Sequence, residues 1–180
     1  MVDTTAARGI VVYKHDEDKI TKLDNHKLLA TSGDYASRTS FAEYIEKNIA
    51  LNNIQTDLEL STHATAHYIR REVARALRSR GPVQCNSLLA GVDSTGPSLY
   101  YIDYLGSMQK LDFAAQGYCG YFALSILDKE FRTNLSQEEA RAIMVKLFDQ
   151  LKLRFLLHVP SFILKTVSMQ GVTEEVLGDL

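Results

Sequence analysis

The chain has 180 residues, of which 46% are apolar and 23% charged, and its formal net charge is −2. These values are typical of a folded globular protein and exclude a disordered one, and the length predicts one domain over residues 1–180. The small acidic excess provides no overall attraction to nucleic acid or to anionic lipid. A site for either partner must therefore be local.

No stretch approaches the roughly 18 apolar residues that a membrane-spanning helix needs, and the first residues lack the basic and apolar segments of a signal peptide. We therefore expect the protein to stay inside the cell. The two cysteines, Cys85 and Cys119, are too few and too far apart for a disulfide framework or a Cys-x-x-Cys site. We expect two reduced, buried thiols.

The first part of the chain predicts short β-strands. Residues 2–31 are rich in β-branched side chains and are interrupted by the charged stretch 15–19, which indicates a turn. Ile10–Tyr13 and Leu28–Thr31 are the clearest strands. Because both are continuous apolar runs, we expect each to be covered on both faces.

Two helices are predicted next. A capping-box pattern at Ser40 and Glu43 predicts the start of the first helix, since apolar residues follow it at helical spacing. Apolar residues on one face predict a second helix from about Ser61 to Arg80, which Gly81 and Pro82 end.

The second half of the chain predicts three strands, two helices and a closing strand. The first two strands flank a segment with hairpin-turn chemistry, and the second of the two helices starts at a capping box formed by Ser136 and Glu139. The predicted elements are strands 87–92 and 99–103, a strand after Gly106, helices 117–130 and 136–151, and strand 161–169. Blocks of strands separated by pairs of helices favour a layered α+β fold in which helices cover two packed sheets.

Two short patterns resemble ligand sites but lack required residues. Gly91 to Gly96 has the spacing of a phosphate-binding loop, yet Pro97 stands where that loop needs lysine. His63 and His67 have the spacing of a zinc-binding pair, but no third ligand is evident. We therefore favour a hairpin turn for the first pattern and predict neither a metal nor a cofactor.

A group of aspartates resembles a calcium loop only in part. Asp16, Asp18 and Asp24 have suitable side chains, but Thr21 and Lys27 stand where the loop needs glycine and a bidentate glutamate. We interpret the segment as a solvated turn.

The second predicted helix carries the only basic concentration in the sequence. Arg71, Arg75 and Arg78 share its polar face and could lie along the phosphates of a nucleic acid. No aromatic residues alternate with them on that face, so a solvated or subunit-facing surface is favoured. A nucleic-acid-binding module remains an alternative.

Several segments resemble proteasome β subunits over nearly the whole chain. The likeness lies in the hairpin 90–103, in the following strand and helix at 113–117 and 124–128, and in the order of the elements. Three further segments resemble the non-catalytic branch of that family, which occupies the fourth position of a seven-membered ring: 41–45, 77–80 and 100–105.

This resemblance implies the four-layer αββα sandwich of N-terminal-nucleophile hydrolases. It also implies a departure, because family members carry a first strand and most of a second before the position of Asp3, where this sequence has only Met1 and Val2. We therefore expect either that the first strand region of the sandwich is lacking or that the sequence has a misplaced start or is incomplete.

Catalytic members of the family use an N-terminal threonine as nucleophile, with a neighbouring amine as base. By resemblance, Asp3 matches the family's early aspartate, Lys19 its active-site lysine and Gly33 its oxyanion-hole glycine. Three other required residues are lost, since a serine is replaced by Tyr118, an aspartate by Phe155 and a serine by His158.

The nucleophile itself is missing by the same comparison. Thr4 and Thr5 follow the aspartate that should come after the nucleophile, so neither matches it. We therefore expect no catalytic residues and interpret Lys19 beside Asp3 as a structural ion pair. An active threonine hydrolase remains the other alternative.

The resemblance also implies partners and a location. We expect contacts with the third and fifth β subunits of the same ring, with α-ring subunits through one helical layer and with the opposite β ring through the other, with no nucleic acid or membrane partner. The expected place of action is the cytoplasm and nucleus, in ATP- and ubiquitin-dependent protein degradation. Segments 117–130 and 136–151 would lie near the ring-to-ring interface, where charge reversal should impair pairing of half-particles.

Overall fold

The computed structural model describes residues 1–8, 11–155 and 160–178. Within these residues the chain forms ten strands and four helices. In chain order they are β1 (Val2–Asp3), β2 (Ala6–Arg8), β3 (Val11–Lys14), β4 (Ile20–Asp24), β5 (Lys27–Gly33), α1 (Tyr35–Thr56), α2 (Thr62–Ala76), β6 (Cys85–Asp93), β7 (Gly96–Ile102), β8 (Met108–Leu111), α3 (Gly120–Glu130), α4 (Gln137–Arg154), β9 (Ser161–Ser168) and β10 (Gly171–Gly178).

The chain divides into two compact units, one formed by 1–18, 113–165 and 174–180 and the other by 19–112 and 166–173. The second unit contains an antiparallel sheet of order β4-β5-β6-β7-β8, on which α1 and α2 pack. Leu29 and Leu89 are paired at the centre of this sheet and are fully buried. The apolar core therefore lies between the sheet and the two helices, where Ile45 and Ile69 are also fully buried.

The first unit combines helices with a sheet in the same way. It contains the sheet of order β1-β9-β10, apart from residues 166–173, and a separate two-stranded sheet of β2 and β3. Apolar clusters join α4 to the first of these sheets and α3 to α4. Each unit thus supplies helical and sheet layers, and the predicted α+β class is confirmed. The single domain over 1–180 stays a prediction.

The helix starts were predicted with mixed success. The capping box at Ser136 and Glu139 is present, and the Ser61 side chain caps α2 by accepting the N–H of Ala64 at 3.1 Å. The predicted start at Ser40 is wrong, because the Asp34 carboxylate accepts the N–H of Ser37 at 3.0 Å and starts α1 well before that position.

The strand predictions were also only partly correct. Leu28 and Leu29 are both buried, as expected of a strand covered on both faces, whereas Val11, Val12 and Tyr13 are all exposed. The prediction of a covered strand at Val11–Tyr13 is therefore wrong, and Ile10 lies outside the described residues. The strand β10 was not predicted.

The hairpin between β6 and β7 confirms the turn that we favoured over a phosphate loop. Asp93 pairs with Gly96 across a two-residue turn, and Gly96 has a φ of +103°, which favours glycine. The Asp93 carboxylate accepts hydrogen bonds from the hydroxyl and N–H of Thr95 and from the N–H of Thr62, which hold its pKa well below the usual range.

Among the described residues, no helix is both long and apolar enough to cross a bilayer.

The three aspartates of the supposed calcium loop each lie beside a lysine amine. Asp16 is 3.8 Å from Lys14, and Asp18 is 2.5 Å from Lys165. Asp24 forms a buried ion pair, since its carboxylate lies 2.8 Å from Nζ of Lys27, whose side chain is almost entirely enclosed.

We predict that Asp24→Ala lowers the free energy of unfolding by about 3–5 kcal/mol, because it leaves a buried amine without its carboxylate. The matched control is Asp16→Ala, which removes an exposed carboxylate and should cost at most about 1 kcal/mol. Urea unfolding of the two purified variants measures both values. Equal losses would contradict the structural role given to the buried pair.

Candidate functional site

Asp3 and the two threonines that follow it lie at the start of the first unit. Asp3 pairs with Phe162 across β1 and β9, and its carboxylate accepts the N–H of Thr5 at 3.3 Å. The residue is half-buried and belongs to the strand and turn that lead to Thr4 and Thr5.

The hydroxyl of Thr4 is enclosed and held by Ser161. Oγ1 of Thr4 lies 2.7 Å from Oγ of Ser161 and 3.1 Å from its carbonyl oxygen, and the Thr4 side chain is almost completely buried. The Thr4 backbone is bonded on both sides, since its N–H donates to Ser161 O and its carbonyl accepts the N–H of Glu17. This hydroxyl ties the residue after β1 to the first residue of β9 and is enclosed by the protein.

Lys19 precedes β4 in the second unit and is half-buried. Its carbonyl oxygen accepts the N–H of Thr31 at 3.1 Å, which fixes its backbone beside the strand that ends at Gly33. The structure thus places Lys19 and Gly33 in the same unit and Asp3 in the other. The ion pair between Asp3 and Lys19 stays a prediction.

Gly33 is required by packing. It ends β5 with a φ of +137°, and a Cβ atom at this position would overlap the carbonyl oxygen of Gln84 and lie 2.8 Å from Cα of Cys85. The next N–H, that of Asp34, donates to the same Gln84 oxygen at 3.1 Å. The close backbone approach accounts for glycine here, and the oxyanion match of Gly33 stays a prediction.

An open groove of about 420 Å³ lies beside Gly33 at the end of this sheet. Its mostly apolar lining includes Leu77, Val83, Cys85 and Tyr104. Burial raises the pKa of the Cys85 thiol to about 11, so the thiol stays protonated at neutral pH.

Cys119 is only half-buried, so the expectation of two buried thiols is correct for Cys85 alone.

The structure describes two of the three positions at which the resemblance predicts that family residues are replaced. Tyr118 is 80% exposed and precedes α3, with its phenol directed away from the core. Phe155 follows α4, and its N–H donates to the carbonyl of Leu151 as the helix ends. His158 lies outside the described residues.

The histidine pair on α2 is a surface feature. The rings of His63 and His67 are 4.4 Å apart, and Nδ1 of His63 lies 3.1 Å from the hydroxyl of Tyr100. Both histidines are exposed. In the part of the chain that the structure describes, no three metal-ligating side chains come together.

Two exposed apolar surfaces were not predicted from the sequence. The first, which we call the α3 surface, consists of Tyr118, Tyr121, Phe122 and Leu124. The second, the α1 stripe, consists of Tyr44, Leu51, Ile54 and Leu58. Each surface lies on or next to a helix that already buries another apolar face. The sequence signal that could have predicted it is a second set of apolar residues at helical spacing. Apolar patches of this kind mark surfaces that bind other proteins.

The sequence matches the family described as Proteasome subunit over residues 1–159. It is 44% identical over 173 residues to proteasome subunit beta type-2 of Oryza sativa, an alignment that covers 96% of this chain and 81% of the relative. The type-2 subunit of Dictyostelium discoideum is 43% identical over 176 residues, covering 96% and 88% of the two chains. Proteasome subunit beta type-4 of Saccharomyces cerevisiae is 37% identical over 169 residues, covering 93% and 85%.

We predict that Gly33→Ala lowers the free energy of unfolding by about 1–3 kcal/mol, because the new methyl group meets backbone atoms and the φ value is unfavourable. Gly81→Ala is the matched control, since no atom lies within 4 Å of its Cβ position. Urea unfolding compares the two. Equal stability of the two variants would show that packing does not require the glycine.

Proposed function

Because the chain belongs to the proteasome subunit family, we propose that it is a non-catalytic β subunit of the 20S core particle. It completes the β ring and supports ATP- and ubiquitin-dependent protein degradation in the cytoplasm and nucleus by neighbouring catalytic subunits. A ring of unlike contacts closes only when every position is filled, so a subunit without catalytic groups can still be indispensable.

The observation that carries the non-catalytic assignment is the state of Thr4. Its hydroxyl is buried and bonded to Ser161, so it cannot approach a substrate carbonyl. Nucleophilic catalysis requires an accessible hydroxyl within reach of a base. Lys19 would have to be that base, and Gly33, the other retained match, is explained by its contact with Gln84.

The exposed apolar surfaces support assembly with other subunits. Tyr121 is 81% exposed on α3, and Phe122 and Leu124 extend the same surface. We assign this helical layer, α3 and α4, to the contact with the opposite β ring, and the layer of α1 and α2 to α-ring subunits. The neighbours in the same ring are the third and fifth β subunits.

We predict that Lys19→Ala leaves peptide cleavage by the intact particle unchanged, because the Thr4 hydroxyl is buried against Ser161 and is not open to activation by an amine. The measurement is the hydrolysis rate of fluorogenic peptides by particles that carry the variant at wild-type abundance. A loss of one peptidase activity in fully assembled particles would support the alternative of an active threonine hydrolase.

We predict that the double variant Tyr121→Glu and Leu124→Glu impairs pairing of half-particles, since it places two carboxylates on the α3 surface. Native electrophoresis and sedimentation should show accumulated half-particles. Tyr13→Glu is the matched control, because Tyr13 is also exposed in the first unit but lies outside α3 and α4. Normal pairing of the double variant would contradict the assignment of this surface.

A further inference from the structure

Two histidines on α2 lie close enough together to share one ion. His63 and His67 are one helical turn apart, both are exposed, and their ring centres are 4.4 Å apart. Because residues four positions apart lie on the same face of a helix, α2 itself holds the two rings side by side. The proposed function uses neither histidine.

The spacing of the two rings is close to that of a pair that binds one metal ion. A zinc–nitrogen bond is about 2.0–2.1 Å long and a ring centre lies roughly 1.1 Å behind its nitrogen, so each centre would lie about 3.2 Å from a shared ion. At a tetrahedral angle the two centres would then be about 5 Å apart. The observed distance falls a little short of this value, and small torsional changes of two exposed side chains make up the difference.

A buried tyrosine orients the first of the two rings. Nδ1 of His63 lies 3.1 Å from the hydroxyl of Tyr100. Tyr100 is 5% exposed and pairs with Leu89 and Lys110 of the strands on either side of β7, so the sheet holds its phenol in place. When Nδ1 carries the proton and donates a hydrogen bond to the phenol oxygen, Nε2 keeps its lone pair for an ion. Histidines that bind metals in proteins are oriented by a hydrogen bond of this kind from their other ring nitrogen.

The charges around the pair permit a cation to bind. The carboxylate of Asp93 accepts the N–H of Thr62, the first residue of α2, at 2.9 Å, and its low pKa keeps it ionised at neutral pH. It therefore offsets the positive end of the helix dipole, which would otherwise repel a cation. Arg70 follows the second histidine by three residues, and its Nε donates to the carbonyl of Gly106 at 3.0 Å, which directs the guanidinium towards the turn after β7.

We propose that His63 and His67 form a two-histidine site for a divalent transition-metal ion such as Zn²⁺, with Tyr100 as a positioning residue. Imidazole is a ligand that suits Zn²⁺, Ni²⁺ and Cu²⁺. The sequence predicted no metal because no third protein ligand is evident, and among the described residues none joins the pair. A site open to solvent does not need one, since water completes the coordination. The site is independent of the proposed function.

Direct contact between the rings, without an ion, is the competing explanation. The planes of the two rings meet at 62°, an angle that edge-to-face packing of two neutral imidazoles would also produce. Such packing would give the pair no affinity for a metal. Binding of an ion, in contrast, would depend on both histidines and on the phenol that orients one of them, so measured affinity separates the two explanations.

The test is a Zn²⁺ titration of the full chain, purified without an affinity tag, in competition with a chromogenic chelator at constant pH. The variants are His63→Ala, His67→Ala and Tyr100→Phe. The matched control is His15→Ala, which removes an exposed histidine outside α2. Circular dichroism establishes that each variant is folded.

We expect one Zn²⁺ to bind the wild type and the control with equal affinity, and each histidine variant to bind it at least about tenfold more weakly. Tyr100→Phe should also weaken binding by about tenfold, because it releases the first ring. Equal affinity of the wild type and the folded histidine variants, or no binding by the wild type at millimolar Zn²⁺, would overturn the site. Unchanged affinity of Tyr100→Phe would overturn the positioning role of the phenol.

Discussion

The pairing of β5 with β6 is the constraint on which the second unit depends. Lys27 to Gly33 pairs residue by residue with Cys85 to Gly91, and at its end the backbone of Gly33 and Asp34 lies directly against the carbonyl of Gln84. Since Asp34 also caps α1, this contact fixes where the first helix leaves the sheet. The direction of α1, and therefore the side on which its apolar stripe is exposed, follows from the end of this ladder.

Local chemistry made much of this fold predictable, and long-range contacts account for the errors. The capping residue Ser136 acts within one helical turn, so its pattern predicted the start of α4 correctly, and apolar spacing predicted the start of α2 near Ser61. For α1 the pattern at Ser40 predicted too late a start, whereas in the structure Asp34 caps the helix beside its contact with Gln84. Burial of Val11 to Tyr13 could not be judged from an apolar run, because such a run does not specify what covers it.

The sequence could predict the candidate site only as a set of matches to family residues. The contacts that these residues make could be seen only in the folded structure. Asp3, Lys19 and Gly33 were identified by resemblance, but the sequence could not show that Gly33 is required by contact with the Gln84 backbone. It also could not show that the Thr4 hydroxyl is bonded to Ser161, a residue 157 positions away. The exposed apolar surfaces were hidden for a related reason, because apolar residues on a helix are indistinguishable in sequence until one face is assigned to the core. The proposed non-catalytic role rests on these features.

The most direct test of that account is chemical labelling of the native particle with an electrophilic peptide that modifies nucleophilic threonines, followed by mass spectrometry of each subunit. The account predicts adducts on catalytic neighbours and an unmodified mass for this chain. An adduct on a threonine of this chain would contradict it.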